Sequence, residues 1–383
     1  MVTGTKKNLN SIIKPFFDIN FFFLVITLIL FGLVILTSAS IELSYEKFGK
    51  PFHYTIRQIG YLIFSIFICS FFIFINSYNL KKYSILFFMF FLFLLAIVLM
   101  PGIGKDVYGS QRWISYGGYS IQPSEFFKLF YIIWLCAYLD FKDNKLIRIN
   151  NFIKPIFIFL LGAILLMAEP DFGSTVVLFV MTLSILFIAG AKILHIVSLI
   201  IFMSFPAAIL VQINPERLSR FNFFEPCNAG DQGYQLCYSL KAIGSGGLLG
   251  KGLGASTAKL DYLPFPHTDF IFAILAEELG IFGVIFLIIL FYLFIRKCFS
   301  IGDKALRVGL KFQGYLSYAI GIFITMQAFL SMFINLGIAP TKGLSLPLFS
   351  YGGSNYLVSI LSITIIFRIY RDVYKETLNS AIR

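Results

Sequence analysis

Asp269 closes a short run whose residue types suit acid–base chemistry: Pro264-Phe-Pro-His-Thr-Asp269, with Phe270-Ile-Phe-Ala-Ile-Leu-Ala276 behind it. A carboxylate at the mouth of so apolar a helix is costly unless it faces a polar cavity. Pro264 and Pro266 restrict where the helix can start, and Thr268 is expected as its N-cap. The bland alternative makes Asp269 a capping or interfacial residue. A second acid stands in Gln122-Pro-Ser-Glu-Phe-Phe-Lys128. Pro123 suits the first turn of a helix. Glu125 and Lys128 are three apart and share a face, which points to an ion-paired polar cavity. Arg112, beside Trp113, suits an anionic ligand at a membrane interface. An aromatic belt with snorkelling bases is the alternative there.

Further polar groups cluster with these. Glu169-Pro-Asp-Phe-Gly173 adds two carboxylates. The 340–354 stretch carries Lys342 as its only charge, and Pro347 and Gly352-Gly353 mark broken backbone near membrane level. Such backbone is tolerated where it lines a cavity. The glycine-rich run Gly244–Gly254 lacks the Gly-Lys-Ser/Thr ending of a nucleotide loop, so tight turns or a re-entrant path explain it better, with Lys241 and Lys251 either diphosphate contacts or bases of a solvated loop. Glu277 and Glu278 read as structural, paired with bases of the inner face.

These groups must be positioned by membrane helices. The chain has 383 residues, 58% hydrophobic and only 13% charged, with mean hydropathy +0.85. That composition excludes an ordinary soluble domain, for which roughly 25% charge is usual. Ten apolar spans are read at 19–38, 58–76, 83–101, 121–140, 152–168, 173–190, 193–213, 269–295, 314–336 and 350–370. The first is expected to insert without cleavage. With both termini inside, inner segments hold 19 of the 31 Lys/Arg and 6 of the 19 Asp/Glu. The basic excess is then a topogenic signal and an attraction to anionic membrane lipids, not a sign of nucleic-acid binding. The expected fold is all-α and polytopic, one integral-membrane domain over 1–383. A cytoplasmic segment covers 1–18, a large outer loop 213–268 separates helices 7 and 8, and a cytoplasmic tail covers 371–383. Cys227 and Cys237 share the outer loop, and pairing and free thiols are both open. No Cys/His cluster has zinc spacing.

The motifs together resemble the SEDS family of polytopic peptidoglycan glycosyltransferases. They are Gln111-Arg-Trp113, Gln122-Pro-Ser-Glu125 with Lys128, Glu169-Pro-Asp-Phe-Gly173, Ala242–Gly247, His267-Thr-Asp-Phe270, Ala276-Glu-Glu-Leu-Gly280, Gly343–Pro347 and Ser350–Ser354. The division branch is a closer likeness than the elongation branch, on Ser38-Ala-Ser40, Arg217–Arg220, Lys259–Pro264 and Pro340–Gly343. Ser110, Pro266 and Asn355 depart from the usual pattern.

The resemblance implies an inverting transfer that polymerises lipid II at the outer membrane face, with Asp269 as general base and Glu125 as second acid. It also implies Arg112, Lys128, Lys342, His267, Thr268 and Ser354 as substrate contacts. A divalent cation, Mg²⁺ or Mn²⁺, on Asp269 and Glu125 is compatible with carboxylate and phosphate chemistry. Implied partners are a class B penicillin-binding protein and other division membrane proteins. The competing readings are a lipid II flippase, which needs polar substrate contacts through both faces, and a non-catalytic scaffold.

Overall fold

The first membrane helix is set by its caps. Asp18 accepts the Phe21 N–H at 3.1 Å, and Gly49 ends the helix in the left-handed region at φ 65°. The computed structural model describes residues 18–107, 110–117, 119–142, 149–213, 227, 233–260, 263–340 and 343–382. Its helices are α1 (Ile19–Phe48), α2 (His53–Phe72), α3 (Ser77–Lys82), α4 (Ser84–Val98), α5 (Pro123–Phe141) and α6 (Ile149–Ala168). They continue with α7 (Phe172–Ile188), α8 (Ile193–Ile213), α9 (Tyr234–Gly246), α10 (Ile271–Arg307), α11 (Lys311–Asn335) and α12 (Gly353–Ile382). Each of the ten apolar spans read from sequence corresponds to a helix of 15 residues or more. Five are long and apolar enough to cross a membrane: α1, α2, α6, α10 and α11. Three shorter apolar helices lie at 84–98, 172–188 and 193–204.

The centre of the fold is the antiparallel pair α10 and α11, with α1, α5, α7 and α12 packed around it. Helix α5 is buried along most of its length, which lets it carry an ion pair away from lipid. By contrast, α2 and α4 bury few side chains and turn large apolar residues outward.

The all-α polytopic expectation holds; the structure adds detail to it and corrects one helix cap. Beside the helices, β1 (Gly104–Val107), β2 (Ser110–Tyr116) and β3 (Tyr119–Ile121) form a small antiparallel sheet in the order β1-β2-β3. Thr268 is not a helix cap. The N-cap of α10 is Phe270, with no side-chain bond, and the Thr268 hydroxyl donates to the Phe265 carbonyl at 3.4 Å. Within the expected 213–268 loop, residues 234–246 form α9. Helix α12 runs on through the expected tail to Ile382.

Helix α10 is in fact two helices. Gly280 sits at φ 63°, ψ −161°, a conformation open essentially only to glycine. A Cβ there would lie 2.4 Å from the Gly250 nitrogen. The glycine-rich run enters this break. Lys251 and Gly252 donate backbone N–H groups to the carbonyls of Glu277 and Glu278, and Ile281 donates to Gly247. The loop thereby satisfies the groups that the break frees. Cys227 and Cys237 form a disulfide, Cα to Cα 5.0 Å.

Candidate active site

The segments that carry the polar motifs converge at one end of the bundle. There α5, α7, α10 and α12 begin, and α6 and α11 end. Backbone contacts fix Asp269. Asn335 donates from Nδ2 to its carbonyl at 3.0 Å. The Ser350 hydroxyl donates to the Thr268 carbonyl at 2.6 Å while accepting the Leu346 N–H at 2.8 Å. Tyr351 N–H donates to the His267 carbonyl at 2.9 Å. Phe265 and Leu348 hold left-handed φ values of 56° and 67° in the two loops that meet here. Such residues persist where the surroundings over-determine them, and they concentrate at functional sites.

The carboxylate of Asp269 is held differently from its backbone. It is half-buried and receives no hydrogen bond among the described residues. Gly343 lies against it: a Cβ on that glycine would stand 2.9 Å from Oδ2. Burial raises the carboxyl to about 6, and the positive charge of Arg112 acts in the opposite sense. Arg112 lies on β2. Its Nε donates to the Glu169 carbonyl at 3.0 Å and its Nη2 to the Pro170 carbonyl at 2.6 Å. The sheet and the α6–α7 turn thus hold a cation whose charge reaches Asp269.

Glu169 is the second unusual acid. It is fully buried and neither carboxyl oxygen has a hydrogen-bond partner among the described residues. Burial first, then repulsion from Asp171, lifts it to about 9 against the pull of Arg112. At neutral pH it is therefore an uncharged acid. Asp171 instead caps α7, accepting the Ser174 N–H at 3.1 Å.

The remaining candidates separate from Asp269. Lys128 Nζ meets Glu125 Oε1 at 2.8 Å, and both side chains are buried. Asn355, one of the departures from the family pattern, donates to Glu125 Oε2 at 3.3 Å. Both oxygens of Glu125 are thus engaged. Ser354 accepts the Gln122 N–H at 2.9 Å and so anchors the start of α5. His267 packs with Tyr54 and Tyr351, ring centroids 4.6 and 5.8 Å away. Burial, then Lys47, lowers its imidazole to about 4, so it is neutral at pH 7. Lys342 lies outside the described residues, as do Arg217 and Arg220.

Two further expectations are corrected. Glu277 and Glu278 pair with bases within and just after the glycine-rich run, Lys251 at 2.6 Å and Lys259 at 2.8 Å, because the break at Gly280 places that run beside them. Lys251 is consequently not a free phosphate contact, and Lys241 rests over the Tyr238 ring. Among the described residues no group of three His, Cys, Asp or Glu side chains is gathered to hold a metal ion.

Sequence reasoning gave no role to Asn335, Gly343 or Ser350, and left Glu169 as one of two carboxylates in a turn. Asn335 had a signal, a lone amide at the end of an apolar span. Gly343 and Ser350 stood inside quoted motifs, but only the fold shows that both meet Asp269.

Residues 18–375 match the family profile of the FtsW, RodA and SpoVE cell cycle proteins. The chain belongs to this family. Its similar relatives include the probable peptidoglycan glycosyltransferases FtsW of Thioalkalivibrio sulfidiphilus and Haemophilus influenzae. The first is 39% identical over 356 residues, 92% of this chain and 89% of that protein. The second is 40% identical over 356 residues, 92% and 90%. The fold is similar to the Thermus thermophilus rod shape determining protein RodA, with TM-score 0.70 and 24% identity over 94% of this chain and 98% of that one. A chain of a peptidoglycan synthase complex that coordinates polymerisation and crosslinking gives TM-score 0.77 and 24% identity, over 94% of this chain and 99% of that chain. The family membership expected from the motifs is borne out, and the fold is that of a polytopic membrane protein.

Proposed function

We propose that this chain is an inverting peptidoglycan glycosyltransferase of the FtsW type, polymerising lipid II at the outer face of the cytoplasmic membrane. The observation that carries the reading is Asp269: a carboxylate on a rigidly held backbone, with no hydrogen-bond partner among the described residues, made more basic by burial and placed within reach of the charge of Arg112. At pH 7 an acid of pKa about 6 is roughly nine-tenths ionised, yet far more basic than an ordinary aspartate. That is the balance a general base needs.

In this reaction Asp269 takes the proton of the acceptor sugar 4-hydroxyl as the oxygen attacks C1 of the lipid-linked donor. The attack comes from the face opposite the diphosphate. The new C1–O bond forms, the C1–O bond to the leaving group breaks, and undecaprenyl diphosphate departs with the electron pair. Arg112 supplies positive charge for that leaving group. No step is routed through a cation, since Glu125 is engaged by Lys128 and Asn355. The basic inner segments and the disulfide in the 213–268 segment support an outward-facing site. The likeness to a chain of a complex that coordinates polymerisation with crosslinking supports a class B penicillin-binding protein as the proposed partner. The relatives named FtsW favour work at the division septum, with other division membrane proteins, over cell elongation.

The test is polymerisation of fluorescent lipid II by the purified chain with its crosslinking partner, wild type against Asp269→Asn at equal folding and equal partner binding. Glycan strands from wild type and a loss of about 10²–10⁴-fold in the variant are expected. Equal polymer from both would remove Asp269 from the chemistry. No polymer from either, with lipid II crossing liposomes, would favour the flippase.

A further inference from the structure

At the end of α10 remote from Asp269, a groove of about 580 Å³ runs along the helix from Tyr292 to Arg307. Its chemistry is graded. Tyr292, Ile295 and Phe299 line the part nearer the middle of the helix, and Arg296, Lys304 and Arg307 supply three cations. The last two stand where the helix ends. Arg296 stands about two to three turns above them, between Ile295 and Phe299. No carboxylate pairs with any of the three among the described residues. The one acid in the groove, Asp303, accepts the Tyr318 hydroxyl of α11. Three cations and one carboxylate leave the groove with a net charge of +2.

A second contact fixes the depth of this groove in the bilayer. Lys297, on the neighbouring face of α10, binds Asp18 at 3.0 Å, and Asp18 is the N-cap of the first membrane helix. The level of residue 297 is therefore where apolar helix gives way to polar surroundings. Tyr292 and Ile295 lie above it with Arg296 beside them, Phe299 lies just below it, and Lys304 and Arg307 lie about two to three turns further down. That order is the order of a phospholipid, with acyl chain, then glycerol, then phosphate. Basic pockets at the cytoplasmic side of membrane helices are suited to anionic headgroups.

We propose that this groove is a binding site for an anionic phospholipid of the inner leaflet. Its phosphate is held by Lys304 and Arg307, the Arg296 charge attracts it from about two to three turns above, and its acyl chain lies along Tyr292, Ile295 and Phe299. The site is separate from the proposed active site and at the opposite end of α10.

The test is native mass spectrometry of the full chain, delipidated and then titrated with phosphatidylglycerol, cardiolipin or phosphatidylcholine. Wild type is expected to retain the anionic lipids selectively. Arg296→Gln, Lys304→Gln and Arg307→Gln should each weaken retention about fivefold, and the triple variant on the order of a hundredfold. Arg296→Lys with Arg307→Lys should keep it. Melting temperatures equal to wild type would confirm that the variants are folded. Equal retention of anionic and zwitterionic lipids by wild type needs no variant to interpret and would overturn the proposal. So would displacement of the lipid by millimolar inorganic phosphate, since a site for free anion has no use for the apolar half of the groove.

Discussion

Two sets of carboxylates in this molecule, buried or half-buried, are treated in opposite ways. Glu277 and Glu278, beside the break in α10, have every oxygen engaged. Glu277 receives Lys251, Ser256, the Thr257 hydroxyl and the Thr257 and Ala258 N–H groups. Glu278 receives Ser38 and Lys259. At the other set, the side chains of Asp269 and Glu169 have no hydrogen-bond partner among the described residues, although the backbone around Asp269 is firmly held. Buried polar groups are normally satisfied, and an exception calls for a reason. The satisfied set stabilises the fold. The unsatisfied set is poised for something that arrives from outside.

The comparison can be broken by exchanging the consequences. Glu278→Ala strands the buried Lys259 ammonium and should cost about 3–5 kcal/mol, read as a fall in thermal unfolding temperature in detergent. Asp269→Asn should leave that temperature unchanged or slightly raised, since it removes a desolvated charge that no described residue pairs, while polymerisation is lost. Similar melting shifts for the two would mean that the sets do not differ. Gly343→Ala is subtler. Its new methyl meets Oδ2 of Asp269, and a displacement of that kind is expected to slow polymerisation by about 10²-fold with little change in melting. An unaffected rate would show that the position of the carboxylate is not tightly specified. The smallest effect is expected from Glu169→Gln. Glu169 is already uncharged at pH 7, so its amide isostere should change polymerisation at that pH by less than about threefold. A large loss would mean that Glu169 works as an anion.

The membrane architecture was legible because apolar runs of membrane length have few alternatives, and each span became a helix. The sheet was missed although it had a signal. Ser110–Tyr116 and Tyr119–Ile121 flank Gly117-Gly118, a hairpin pattern hidden among polar residues expected to form a loop. The break at Gly280 had none, because a single glycine inside a helical pattern is usually tolerated. Consequently the sequence points Glu277 and Glu278 toward bases of the inner face, whereas their partners are Lys251 and Lys259. Glu125 with Lys128 was read correctly as a pair from its three-residue spacing, since a helix brings such residues together whatever surrounds them. The environment of Asp269 depends on residues 66 to 82 positions away, Asn335 and Ser350 among them, which no local pattern can reveal.

The most direct test of the central claim is the rate of glycan polymerisation as a function of pH at saturating lipid II, for wild type and for Arg112→Gln. A base with its carboxyl raised to about 6 is active when deprotonated, so the wild-type rate should fall below pH 6, approaching tenfold per pH unit. Removing Arg112 removes the charge that opposes the rise, so the limb should move to higher pH. A wild-type rate that stays level down to the ordinary aspartate range near pH 4, or a limb that does not respond to Arg112, would contradict the assignment of Asp269 as the base.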